Sequence, residues 1–393
     1  MNKYLKRLTE SGELQGRLVV GLMSGTSLDG LDVALCWIKG YGFNTEVDLL
    51  EFETYTYNEE FKDAIRLIFS KRQVDLELLT LLNAKIGEVH ANFILDALRK
   101  WNVQTSDVNF MASHGQTIYH APQRLHKIEG YSNATLQIGD ADHIAYKTGI
   151  ITISDFRQKH IAAGGEGAPL ALYGDCILFS SPHESRFLLN IGGISNFTYL
   201  PAGDTSGIIC SDAGPGNTLI DNLARIHFNK PYDDGGRIAQ HGKVITPLLI
   251  QLMFHPFFSE AFPKTTGPEL FNMEYLNSAI AEIGTQDIDP ADLIATVTQF
   301  TAQAIAMAIK SCVNDGPSNL FVSGGGSHNK FLLERISELL PEITIKKMDD
   351  LGISADAKEA VLFAVLANET VCGSAIEVGG GPAVMMGKIS LPE

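Results

Sequence analysis

The chain has 393 residues, 45% hydrophobic and 19% charged, the balance of a soluble globular protein and not of a disordered one. Its 30 Lys and Arg against 46 Asp and Glu leave a net charge of −16. That charge disfavours nucleic acid and anionic membranes as partners, and the length suits two domains better than one core.

Cys36, Cys176, Cys210, Cys312 and Cys372 stand singly, with no CxxC and an odd count, so no disulfide framework is expected. The polar start, Met1 to Gly16, lacks the apolar core of a signal peptide and reads as a frayed arm. The most apolar stretch, Pro247 to Phe258, is too short to span a bilayer. A cytoplasmic protein is the expectation.

Taken in chain order, the most informative segment is Val19 to Leu35. Two apolar flanks read as strands around Gly25-Thr26-Ser27-Leu28-Asp29-Gly30. The Leu28-Asp29-Gly30 step reads as a tight hairpin, because Asp-Gly tolerates the positive φ such turns need. Small residues at a strand end let backbone amides and hydroxyls approach a phosphate, and Asp29 and Asp32 could hold a metal ion beside it. An ordinary Gly-rich hairpin fits the segment equally well. No Gly-Lys-Ser/Thr follows, so it is not a P-loop.

Leu78, Leu82, Ile86, Val89 and Phe93 recur at helical spacing and predict an amphipathic helix over 74–101. Phe110 to Ala112 predicts a short strand running into Ser113-His114-Gly115-Gln116-Thr117, and residues 149–154 predict another that ends at Asp155-Phe156-Arg157. The small residues from Ala162 to Pro169 suggest a hinge.

A second half echoes the first. Phe187 to Leu200 is again strand, small-residue turn (Gly192-Gly193) and strand. Gly207 to Cys210 predicts a strand before Asp212, which by motif shape suits a turn or the N-cap of a helix over 217–228. Asp233-Asp234-Gly235-Gly236 reads as a turn. Leu320 to Ser327 runs through Gly324 and Gly325 to Asn329 and a helix, an arrangement suited to an anion or nucleotide. A last helix is expected over 355–368.

Three glycine-rich strand ends in this order resemble the sugar kinase, heat-shock 70 and actin superfamily. Read together, several motifs resemble anhydro-N-acetylmuramic acid kinases: Gly21 to Gly30, Ser113 to Thr117, Asp155-Phe156-Arg157 and Gly164 to Leu170. So do Asn190 to Gly193, Asp212 to Asn217, Pro263 to Gly267 and Phe271-Asn272. The resemblance covers all but about the first sixteen residues.

The resemblance implies an α/β fold of two actin-like, ribonuclease H-like domains with a cleft between them. Residues 1–163 would form the first and 164–373 the second, with 374–393 packing back on the first. It implies an enzyme that opens a 1,6-anhydro sugar of peptidoglycan turnover with water and phosphorylates O6, using ATP and Mg²⁺. Asp212 would be the general base. Gly25, Thr26, Ser27, Leu28, Asp29, Gly30, Leu31 and Asp32 would meet phosphates, with Asp29 and Asp32 on the metal. Gly192 and Gly193 would oppose them, and Gly324, Gly325 and Asn329 would lie near adenosine.

Glu359 would reach the sugar. His114 and Gln116 could hydrogen-bond it, while Asp155 and Arg157 could orient hydroxyls or phosphate or form a structural ion pair between the domains. The family leaves room for a homodimer, which no sequence feature specifies. His160 where an acidic residue is expected, Glu166 in place of glutamine, and Leu170-Ala171-Leu172 without the expected proline are departures. They leave open a different anhydro sugar. A non-catalytic ATP- or sugar-sensing module is the reading from another class, and retention of Asp29, Asp32, Asp212 and Glu359 argues against it.

Overall fold

A computed structural model describes every residue except Thr205, Gln286, Asn314, Asp315, Ala355 and Gly380. The chain divides into two compact units, one of Met1–Leu178 with Asp356–Glu393 and one of Phe179–Ala355. The division therefore falls later than the small-residue stretch at 162–169, and the return to the first unit begins before residue 374.

The described strands are β1 (Gly16–Ser24), β2 (Gly30–Lys39), β3 (Glu46–Thr56), β4 (Phe110–Ala121), β5 (Ala134–Ile138) and β6 (Thr152–Ser154), followed by β7 (Ser185–Ile191), β8 (Ile194–Leu200), β9 (Ile209–Pro215), β10 (Ser318–Ser323), β11 (Thr344–Lys347) and β12 (Lys388–Ser390). The first unit's sheet runs β12-β6-β4-β1-β2-β3, with β5 on β4, and the second unit's runs β11-β10-β7-β8-β9. Both repeat one pattern. An antiparallel meander (β1-β2-β3, then β7-β8-β9) is extended from its first strand by two parallel strands, β4 and β6 or β10 and β11. The weak echo in sequence is thus a repeated topology, and the fold is the expected α/β class built on two mixed sheets.

In the first unit the Leu76–Lys100 helix opens on Asp75, whose side chain accepts from the amides of Glu77 and Leu78. Its Ile94, Ala97 and Leu98 pack with Val20, Leu22, Leu31, Val33 and Met111 of the sheet. The opposite face of β1 carries the Lys358–Cys372 helix. A Cβ at Gly21 would lie 1.9 Å from the carbonyl oxygen of Ala360, so only glycine lets this helix close on the strand. That approach brings Glu359, on the helix's first turn, to the hairpin strand.

Three local expectations change. The start of the chain is a formed helix, Lys3–Glu13, whose Arg7 donates to the carbonyls of Ser106 and Val108 at 2.7 and 2.6 Å. It is not a frayed arm. β4 continues through Ser113 to Thr117 instead of ending there. β6 is only Thr152–Ser154, because Gly149 closes the preceding helix in the left-handed conformation with φ 73°.

The second unit centres on the Pro290–Lys310 helix. One side meets β7 and β10 through Ala302, Ile305 and Ile309, and the other meets neighbouring helices through Leu293, Ile294, Val297 and Phe300. Among the described residues it is the one helix long and apolar enough to cross a membrane, and 78% of its apolar window is buried in the fold. All five cysteines are free thiols, with Cys36, Cys176 and Cys312 buried.

Candidate active site

The loop from Gly25 to Asp29 joins β1 to β2, with Ser24 paired to Leu31 and Met23 to Asp32. Its positive φ of 60° falls on Leu28, not on the Asp29-Gly30 step, and Gly30 lies within β2. A left-handed leucine costs about 1–2 kcal/mol. Its side chain offsets that cost by burying itself among Ile65, Ile68 and Ile118. Thr26, Ser27 and Asp29 are exposed at the tip, which leaves their polar groups open to a ligand.

Asp32 is half-buried on β2 and accepts from Thr54 Oγ1 at 2.6 Å. Burial raises its carboxyl above the usual aspartate value, the Thr54 hydrogen bond opposes this, and the carboxylates of Asp356 and Asp29 add to the rise. Glu359 is exposed at its surface yet walled by enough protein that desolvation raises its carboxyl too. Lys358 opposes the rise, Asp32 adds to it, and Arg157 opposes it.

Arg157 lies one residue into the Phe156–Ala162 helix. It donates from Nε to His114 Nε2 at 3.0 Å and from Nη1 to the Gly167 carbonyl at 2.7 Å. Its Nη2 has no partner among the described residues. Burial lowers its pKa and Glu359 opposes that shift.

His114 is 3% exposed, and its other ring nitrogen meets the Gly115 carbonyl at 2.9 Å. Burial, reinforced by Arg157, pushes its pKa down to about 3. With both nitrogens engaged inside the protein, His114 offers none to a sugar and instead holds Arg157. Gln116 is likewise fully buried. Its Oε1 accepts from Ser24 and its Nε2 reaches the carbonyls of Gly25 and Thr117. Asp155 is engaged by Lys388 of β12, an ion pair within one unit and not the expected pair between domains.

Two of the departures from the family pattern, His160 and Glu166, are engaged by neighbouring residues. His160 is buried and accepts from the Gly167 amide at 2.9 Å, and Glu166 receives Arg124 at 3.1 Å.

In the second unit Asp212 sits inside β9, not after a strand, so it is no helix cap. A bulge separates the pairs Ser195–Gly214 and Asn196–Asp212 and re-aims the strand there. Asp212 is half-buried. Its amide donates to the Lys264 carbonyl at 3.0 Å and its Oδ2 accepts from the Thr266 amide at 2.7 Å. Desolvation raises its carboxyl, the Thr266 bond opposes this, and Glu269 adds to the rise. Lys264 is buried, donates to the Phe257 carbonyl at 2.8 Å and lies over the Phe257 and Phe262 rings.

Gly192 and Gly193 form the turn between β7 and β8. Their carbonyls receive the amides of Asn217, Gly216 and Thr218 at 2.8, 3.0 and 3.2 Å, which ties the turn to the start of the Thr218–Phe228 helix. A Cβ at Gly216 would lie 2.3 Å from the Gly192 carbonyl oxygen, so this contact too depends on glycine.

Gly324 ends the strand β10. Asn329 then caps the Lys330–Leu339 helix, accepting from the Leu332 amide at 3.0 Å. Gly325 and Asn329 line a cavity of about 460 Å³ with Asn217, Asp221, Tyr232 and Asp234. Tyr232 and Asp221 belong to no pattern visible in the sequence; the only hint was the adjacent Asp-Asp-Gly-Gly turn. Asp233 is structural, since its two carboxylate oxygens accept from the amides of Ile238 and Ala239.

Comparison with known proteins agrees with the motifs. Residues 17–387 match the family model described as anhydro-N-acetylmuramic acid kinase. The chain is 50% identical to the anhydro-N-acetylmuramic acid kinase of Pseudoalteromonas atlantica and 46% identical to that of Pseudoalteromonas translucida, with 100% of both partners covered in each case. The enzyme of the same description from Caldanaerobacter subterraneus is 40% identical over 98% of this chain and 100% of its own length. The chain belongs to the anhydro-N-acetylmuramic acid kinase family.

Proposed function

We propose that this enzyme makes two coupled bond changes on 1,6-anhydro-N-acetylmuramic acid, as a step of peptidoglycan recycling. Water attacks C1, the C1–O6 bond breaks, and O6 takes the γ-phosphoryl group of ATP. The products are N-acetylmuramic acid 6-phosphate and ADP. Asp212 accepts the proton that the attacking water gives up. Use of ATP places the reaction in the cytoplasm.

The observation that carries this reading is the setting of Asp212. The Thr266 amide fixes one carboxylate oxygen, and desolvation raises the carboxyl so that it takes a proton more readily than an ordinary aspartate. We assign Arg157 and Glu359 to the sugar, with His114 holding Arg157 in place. The engagement of His160 by the Gly167 amide inside the protein supports this sugar over a different one, while Glu166 is held by Arg124 at the surface.

Gly25, Thr26, Ser27, Asp29 and Asp32 are assigned to the phosphates, with Gly192 and Gly193 as the second unit's contribution. The cavity lined by Asn217, Tyr232, Gly325 and Asn329 is of a size for adenosine. Asp29 and Asp32 are assigned to Mg²⁺. Burial and the nearby Asp356 and Asp29 make the charge on Asp32 costly, which a cation would relieve. Mg²⁺ takes most of its ligands from phosphate oxygens and water, so one or two protein carboxylates suffice to hold it. When bound it neutralises charge on the transferring phosphoryl group.

The test is Asp212→Asn. It should bind ATP as the parent does and form no sugar phosphate. Full turnover in that variant would overturn the assignment of the base.

A further inference from the structure

Beneath the Gly25–Asp29 loop lies a chain of buried polar groups that no step above uses. Ser24 Oγ stands 2.6 Å from Gln116 Oε1 and 2.8 Å from Tyr57 Oη, and Tyr57 Oη stands 2.7 Å from His90 Nε2. Ser24, Tyr57, His90 and Gln116 are 1%, 3%, 0% and 0% exposed, so water does not compete for these bonds.

The direction of the chain follows from which atoms can donate. Gln116 Nε2 points at two carbonyls, Gly25 at 3.2 Å and Thr117 at 3.3 Å, so its other end is the oxygen. That oxygen only accepts, so the single Ser24 hydroxyl proton goes to it, leaving a distant 3.4 Å approach to the Gly30 carbonyl. Tyr57 must then donate to Ser24, and His90 Nε2 must donate to Tyr57. His90 is therefore the Nε2–H tautomer, with Nδ1 bare and without a partner among the described residues. Burial independently favours the neutral ring, pushing its pKa down to about 3.

The chain grips both ends of the loop. Gln116 holds the Gly25 carbonyl, and the Tyr57 amide holds the Asp29 carbonyl at 3.2 Å. Thr26, Ser27 and Leu28 lie between these two anchors. We propose that His90 and Tyr57 are positioning residues that, through this one-way chain of buried hydrogen bonds, hold the loop in the shape that receives the phosphates of ATP. The proposal rests on the assignment of Gly25–Asp29 to those phosphates.

Tyr57→Phe keeps the ring against Phe61 and Phe93 and removes only the hydroxyl. It should raise the KM for ATP about tenfold, the cost of breaking a buried hydrogen bond of ordinary strength, and leave the KM for the sugar unchanged. Combined with Ser24→Ala, the loss should be no greater than for the worse single variant, because both break one chain. An unchanged ATP KM with only a lowered Tm, or losses that multiply, would overturn the proposal. In ¹⁵N spectra of the intact enzyme, His90 should carry its proton on Nε2; the opposite tautomer would overturn it even if the variants fail to fold.

Asp29→Asn tests the underlying assignment separately. Weaker ATP binding there beside an unaffected Tyr57→Phe strikes only the chain. Unchanged binding in both strikes the phosphate loop itself.

Discussion

Arg157 Nε donates to His114 Nε2 over 3.0 Å, and this bond decides what each residue can do. It requires a neutral imidazole with Nε2 bare, the state that burial enforces. The guanidinium is thereby fixed in orientation, with Nη1 on the Gly167 carbonyl.

His114→Ala should therefore cost sugar recognition rather than ATP recognition. Hydrogen bonds to charged groups contribute roughly 1.5–3 kcal/mol, so kcat/KM for the anhydro sugar should fall about ten- to hundredfold with the ATP KM near its parent value. Steady-state kinetics with each substrate varied in turn checks this. An ATP KM raised as much as the sugar's would argue against the assignment.

The pH dependence of activity should report the raised carboxyls. A base works only when deprotonated, and both Asp212 and Glu359 sit above their ordinary values through desolvation. The acid limb of kcat/KM should therefore lie above the usual aspartate range, with activity falling as pH drops through it. Rate profiles with saturating ATP provide the measurement.

The same shift predicts a gain in stability for Asp212→Asn. A carboxyl raised in the folded state stabilises the fold below its unfolded pKa and loses that contribution as pH rises through the folded one. Above the folded pKa the parent carries an ionised, desolvated Asp212, so there the neutral asparagine should melt higher. The advantage should vanish in acid below the ordinary aspartate range. Thermal melts across pH give the comparison.

Gly21→Ala should loosen the Lys358–Cys372 helix from β1. The added carbon would meet the Ala360 carbonyl oxygen at 1.9 Å, a backbone contact that cannot swing aside. Overpacking of this kind costs typically about 1–3 kcal/mol, measurable as a lower urea midpoint. Turnover should drop as well, because Glu359 rides on that helix.

Much of this was legible in the sequence where one local signal dominated. The Leu76–Lys100 helix is legible to within two residues of each end from its apolar spacing, and the Asp75 cap fixes where it starts. The paired hairpins at Gly25 and Gly192 were found because glycine clusters between apolar runs have few other uses. Other features depended on tertiary contact. Nothing local says that Leu28 takes the positive φ, since its burial against Ile65 and Ile118 outweighs glycine's preference next door. The placement of Asp212 within a bulged strand needs β8 opposite it. His114 and Gln116 suited a sugar by residue type, yet their neighbours Arg157, Ser24 and Gly25 occupy them. Tyr232 reaches the cavity through a fold that brings 232 beside 325 and 329, which no periodicity encodes.

The most direct test of the account is the mass of the product formed by the unmodified enzyme from Mg-ATP and 1,6-anhydro-N-acetylmuramic acid. Coupled ring opening and phosphoryl transfer predict a sugar heavier than the substrate by one phosphoryl group and one water. A product heavier by the phosphoryl group alone would mean transfer without ring opening, and would contradict the role given to Asp212.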